Sequence, residues 1–321
     1  MSRRPAMPPP ARPQRGVALV AVLWILALVV TLAATLVHSA RTGSQLTRNL
    51  VEGARARLAA EAGLHYALRR LVAARPLDAA ILAGQPWRFD WEGSRVEIRI
   101  QDESGRIDLN TADPDLLDGL LRAAGASDEE RLHLLDAIAD WRDRDDLSRL
   151  NGAERDRYRD AGLPYGPRNA DLRTPEELRL IFGMRPALYR ALRPGITVYW
   201  GHAGIHPQVA PPLVLQGLPG LTEATVADYL AQRRSTGPAT TTGTPPGLDR
   251  RYLSPTASLT YTVHAQSQRP GGTRFALSAT IRLTRPGGTD YQVLDWREPA
   301  DLMDENPNPQ DNPPPGTPAA P

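Results

Sequence analysis

Twenty-one consecutive residues, Val17 to Val37, carry no charge. Coiled into a helix at ~1.5 Å per residue, such a run is ~30 Å long, the thickness of a bilayer core. Residues 1–16 contain Arg3, Arg4, Arg12 and Arg15 and no acid. Basic flanks stay in the cytoplasm, so the bulk of the chain is expected on the far side of the membrane. Three uses of the run are open. A cleaved secretory signal has an apolar core of only ~7–15 residues, and the nearest small pair, Ser39-Ala40, has His38 where a small residue is wanted. A plain uncleaved anchor fits the length. The third use follows from order: basic leader, then Gly16, then the apolar run with no gap. A cut after Gly16 would leave Val17 as the new N-terminus and keep the helix.

Apolar and small residues continue at helical spacing through Leu46, Leu50, Ala54, Leu58, Ala62, His65, Leu68 and Val72. One helix is therefore expected from about Val17 to Leu71, ending before Pro76, with Gly43 and Gly63 as weak points. Beyond it, "RVEIRIQD" (95–102), "SLTYTVHAQ" (258–266), "RFALSATIRLT" (274–284) and "YQVLDWRE" (291–298) alternate apolar and polar residues as half-buried strands do. Pro270-Gly271-Gly272 and Pro286-Gly287-Gly288 supply hairpin turns. Strands at both ends of a long helical stretch predict one sheet with a helical insertion. The Pro- and Asn-rich stretch from Asp301 onward is disordered by composition.

The insertion repeats itself. "DLNTADPDLLDGLL" (108–121) aligns with "IHPQVAPPLVLQGLPG" (205–220), matching Ala112 to Ala210, Pro114 to Pro212, Leu117 to Leu215 and Gly119 to Gly217. Each copy leads into a second amphipathic stretch, which predicts two helical hairpins of the helix-hairpin-helix or sterile-alpha-motif kind. DNA binders with such hairpins read Gly-apolar-Gly at the turn, where amides meet a phosphate. Here the turns read Gly125-Ala126-Ser127 and Gly220-Leu221-Thr222, and Asp128, Glu129 and Glu130 follow the first. A net charge of only +2 gives no basic footprint.

"DWRDRDDLSRLNGAE" (140–154) concentrates oxygen ligands. The spacing of Asp143, Asp145, Asn151 and Glu154 echoes an EF-hand loop, but Leu147 and Ser148 stand where a ligand and the turn glycine belong. Two readings stay open from the residues: a calcium loop of another shape, or a solvated loop whose acids pair with Arg142, Arg144 and Arg149. Interleaved arginines hold these acids ionised and deny the chain a general acid. No cysteine, HExxH or GxSxG is present and the six histidines are scattered, so no enzyme is expected.

Taken in order, the Gly16 leader, the apolar helix, "GRIDLNTA", "DWRDRDD" with Tyr158 downstream, "EELRLIFGM" and the closing "WRE" resemble the K-type minor pseudopilins of type II secretion. The fold this implies is α+β: a pilin-like long N-terminal helix packed on a small antiparallel sheet, with a large α-helical insertion of two repeats. The implied segments are a leader (1–16), the helix (17–73), the first part of the pilin-like domain (74–104), the insertion (105–250), the closing strands (251–298) and the tail (299–321). The resemblance implies cleavage by prepilin peptidase between Gly16 and Val17, N-methylation of Val17, and a non-acidic fifth mature residue, here Ala21, where most pilins carry glutamate. A buried carboxylate in lipid needs a partner; a subunit with none above it can dispense with the acid. The resemblance also implies calcium, with Asp143, Asp145, Asp146, Glu154 and Asn169 as ligands. It implies I-type and J-type minor pseudopilins, the major pseudopilin filament and inner-membrane lipid as partners, and no nucleic acid. The head would lie in the periplasm behind a single-pass inner-membrane helix, serving export of folded exoproteins. The competing expectation is an anchored periplasmic helix-hairpin-helix protein of DNA uptake, whose "NTA…L…LPG" phrase is similar.

Overall fold

The computed structural model describes residues 17–72, 79–235, 243–254, 258–284 and 290–298. Gly16, Pro76, the Pro286-Gly287-Gly288 turn and the tail from 299 lie outside the described residues. The chain divides into two units, Met1–Arg55 and Ala56–Pro321.

Helix α1 (Val17–Val72) begins in the first unit. Its apolar part is long enough to cross a membrane, and its large side chains from Leu19 to Val37 are exposed. Hydroxyls in such a segment need internal partners. Thr31 Oγ1 donates to Ala27 O (2.7 Å) and Thr35 Oγ1 to Leu32 O (2.8 Å).

In the second unit, the closing turns of α1 lie on a sheet through small residues. Ala56, Ala59, Ala60, Leu64 and Ala67 are buried there. Gly63, expected as a weak point, is a point of close approach: a Cβ on it would come within 2.7 Å of Val96 Cγ1. After the short helix α2 (Ala79–Leu82) come β1 (Trp87–Trp91) and β2 (Ser94–Asp102), then, far along the chain, β5 (Thr260–Gln268), β6 (Arg274–Leu283) and β7 (Tyr291–Arg297). These form an antiparallel sheet ordered β1-β2-β5-β6-β7. Val96, Ile98, Ile100, Val263, Ala265, Leu277, Ala279 and Ile281 form its core face. Strand β1 adds to the four expected strands. Its apolar partner is Tyr66 of α1, whose ring packs on Trp87 and Phe89 at centroid distances of 4.8 and 5.3 Å.

Between neighbouring strands β2 and β5 the chain leaves the sheet and builds a second core. A two-residue parallel pair, β3 (Ile107–Asp108) and β4 (Ile196–Thr197), joins its start to the segment just before the second repeat. The helices are α3 (Pro114–Ala123), α4 (Asp128–Arg142), α5 (Arg155–Asp160), α6 (Pro186–Leu192), α7 (Pro212–Gly217) and α8 (Glu223–Ser235). The internal repeat is structural: α3 and α4 make one hairpin, α7 and α8 the other. Their first helices cross at the aligned glycines. A Cβ on Gly119 would lie 1.9 Å from Gly217 O, and one on Gly217 would lie 2.8 Å from Gly119 O. Only two glycines allow backbones this close. Leu116, Leu120, Val214 and Leu215 are buried around the crossing.

Candidate functional site

Helix α4 sets up the acidic loop. It starts at a capping box, in which Ser127 Oγ accepts from Glu130 N (3.2 Å) and Glu130 Oε2 from Ser127 N (2.9 Å). It ends at Asp143. Trp141 faces the core and meets Tyr158 of α5, whose hydroxyl accepts from Phe182 N at 2.8 Å. The loop from Asp143 to Glu154 is thus held at both ends by buried aromatic residues.

Four of the five expected ligands come together. Glu154 is buried, 7% exposed; its carboxylate oxygens have no side-chain donor, and only the neighbouring Arg155 amide favours their charge. Asp143 Oδ1 and Asn169 Oδ1 are likewise buried without a donor. Asn169, at a left-handed φ of 52°, turns its amide nitrogen to Asp145 O and Asp146 Oδ1, each at 3.1 Å. Burial, and then the negative charges of Asp140, Asp143 and Asp146, push the Glu154 carboxyl up to about 7. Buried oxygens short of donors around a crowded carboxylate leave a local excess of negative charge that is costly unless compensated. The fifth, Asp145, turns its carboxylate back on its own loop, accepting from Leu147 N at 2.9 Å.

Asp140 escapes notice in the sequence because it reads as one more helical acid. Its side chain is fully buried. Burial raises its carboxyl above the ordinary range, opposed by the amides of Arg149 and Ala153. Among the arginines, Arg149 pairs with Asp140 and Asp143, both at 3.2 Å. Arg142 instead donates to Leu109 O at 2.5 Å. The expected mutual cancellation of loop acids and arginines is therefore incomplete, and it leaves Glu154 out. Among the described residues no three Asp, Glu, His or Cys side chains form a ready-made metal cluster. Asp143, Asp146 and Glu154 are thus not drawn into a formed cluster; what suits them and Asn169 to a hard cation is donor chemistry, since calcium takes carboxylate, amide and carbonyl oxygens together with water.

The hairpin turns do not fit a phosphate. The capping box occupies amides at the head of α4, and Asp128 is 91% exposed beside them. At the second turn Thr222 Oγ1 accepts from Thr225 N (3.2 Å).

An apolar N-terminal helix long enough to cross a membrane, packed by its last turns on an antiparallel sheet and followed by a helical insertion, is an arrangement of the pilin-like class. The solved GspK-GspI-GspJ complex of the enterotoxigenic Escherichia coli type 2 secretion system contains a chain of similar fold, at a TM-score of 0.55 and 16% identity over 80% of this chain and 98% of that one. The family described as type II secretion system protein K matches residues 99–201. Curated relatives include type II secretion system protein K of Dickeya chrysanthemi, 27% identical, covering 59% of this chain and 67% of that protein. Its counterpart in Pectobacterium carotovorum subsp. carotovorum is 31% identical, covering 56% and 62%. The matches thus span about two thirds or less of these relatives. Over residues 99–201 the chain is therefore similar to the type II secretion system protein K family.

Proposed function

We propose that the chain works as the K-type minor pseudopilin at the tip of the type II secretion pseudopilus. It joins I-type and J-type minor pseudopilins to prime the filament that exports folded exoproteins. The observation that carries this reading is the helical insertion between β2 and β5, which adds a second core to a pilin-like head. A head so enlarged leaves no room for a further subunit to stack on it. Helix α1 is the single-pass inner-membrane anchor, the second unit lies in the periplasm, and Ala21 replaces the acid that an internal filament subunit would need. Major pseudopilin is met only from below.

Prepilin peptidase cuts between Gly16 and Val17 and the new N-terminus is methylated. Calcium is held by Asp143, Asp146, Glu154 and Asn169, with Asp145 contributing to the loop that carries them. The support for it is the set of buried oxygens short of donors and the raised Glu154 carboxyl. The cation supplies the positive charge that this set lacks. Coexpression with a prepilin peptidase, followed by intact-mass analysis and N-terminal sequencing, tests the reading. A mature chain beginning at methylated Val17 supports it; an uncleaved chain, or one beginning near Arg41, overturns it.

A further inference from the structure

Three side chains on one face of α4, spaced i, i+3 and i+7, grip the far half of the acidic loop. His133 Nδ1 lies 2.5 Å from Asn151 O, while its Nε2 lies 3.1 Å from Phe182 O. Asp136 Oδ2 accepts from Asn151 N (3.0 Å) and Asn151 Nδ2 (3.1 Å). Asp140 Oδ2 accepts from Arg149 N (3.2 Å) and Ala153 N (2.9 Å). The loop therefore turns around two carboxylates, with four of its donors satisfied by one helix. Gly152 lies against this grip. A Cβ there would come within 1.9 Å of Asp140 Oδ2 and 2.8 Å of its Cγ. Asp140 is walled in and has no exposed side to swing to, so any side chain at 152 would displace the carboxylate that holds residues 149 and 153.

We infer that α4, acting through Asp140 with Gly152 as its required neighbour, builds the acidic loop before any cation arrives, and that Asp140 is a positioning residue for the calcium site. This rests on the calcium reading of that site, and it adds the order of events. Glu154 follows Ala153 directly, so the Ala153–Asp140 bond fixes where the Glu154 carboxylate starts. Asp143 sits three residues beyond Asp140 at the end of the same helix, and Arg149 bridges the two. Asp140 thus sets the separation of Asp143 and Glu154 without using a free oxygen of either. Groups of this kind behind metal ligands alter affinity about 10–100-fold when removed.

The test uses the full chain in detergent. Amide hydrogen exchange is first followed without calcium at Arg149, Asn151 and Ala153. Protection of all three in the calcium-free chain is expected. Exchange at exposed-loop rates until calcium is added would overturn the inference, because the cation would then be the builder. Calcium titration calorimetry is then run on Asp140→Asn, Gly152→Ala, Asp140→Ala and the double variant Asp140→Ala/Gly152→Ala. The single variants should bind calcium about 10–100-fold more weakly. Gly152→Ala should add nothing once Asp140 is Ala, since the clash is gone. Wild-type affinity in Gly152→Ala, or an additive double variant, would contradict it. A wild-type chain that binds no calcium would overturn the calcium reading and with it the positioning role, whereas the exchange data still decide whether α4 builds the loop.

Discussion

The crossing of the two repeats gives the sharpest mechanical prediction. In Gly119→Ala the new methyl would start 1.9 Å from Gly217 O. A carbon–oxygen contact settles at about 3.3 Å, so α3 and α7 must part by roughly 1.4 Å at the crossing. The obstruction is backbone, and Leu116, Leu120, Val214 and Leu215 are already buried around it, so no side-chain rotation relieves it. Overpacking of this kind costs about 1–3 kcal/mol, and the upper end applies here. Alanine's better helix propensity returns about 1 kcal/mol, leaving a net loss of about 2 kcal/mol. For a unit of this size that is a fall of about 4–8 °C in melting temperature. Gly217→Ala, whose methyl would start 2.8 Å from Gly119 O, should fall less. Gly53→Ala, with nothing within 4 Å, should melt no lower than wild type. Differential scanning calorimetry of the three variants decides the matter. A Gly119→Ala chain that melts at or above wild type would refute the crossing.

The remaining expectations concern the membrane helix and the loop. Ala21→Glu places an acid where tip position excludes a partner, so filaments should carry the chain at internal positions and secretion should fall; unchanged filament length and secretion would count against tip restriction. Glu154→Gln should abolish most calcium binding in calorimetry while raising the melting temperature of the calcium-free chain at pH 8, because it removes a buried charge crowded by Asp140, Asp143 and Asp146; a lowered calcium-free melting temperature would contradict that crowding. The Glu154 carboxyl is raised from 4.5 to about 7, so the folded chain holds more protons than the unfolded one between those values. Calcium-free stability should therefore fall as pH rises through that window. Calcium binding at pH 6.5 should release a proton, seen as a buffer-dependent heat; equal heats in buffers of different ionisation enthalpy would exclude it.

Periodicity carries much of the fold. The two-residue alternation of β2, β5, β6 and β7 and the uncharged run of α1 are local patterns, and both appear in the structure close to the expected bounds. The aligned glycines 119 and 217 mark a repeat, but their mutual contact is a fact of tertiary packing that no single copy encodes. Gly63 misleads for the same reason, since a glycine that weakens an isolated helix also lets it approach a sheet. Strand β1 is written in the alternation Trp87, Phe89, Trp91, but five residues are a short run on which to separate a strand from a turn. At the loop, residue type points to Asp143, Asp145 and Glu154, while Asp146 and Asn169 enter only through the family resemblance. Asp140 stays hidden because its importance lies in being buried under Gly152, which spacing along a helix does not reveal. Which arginine pairs with which acid also depends on backbone direction, and it turns Arg142 away while keeping Arg149.

Coexpression of the full chain with the I-type and J-type minor pseudopilins from the same genome, followed by detergent extraction and native mass spectrometry, tests the tip assignment most directly. One complex holding a single copy of each protein is the predicted result. A chain that extracts alone while the other two pair with each other would contradict the assignment.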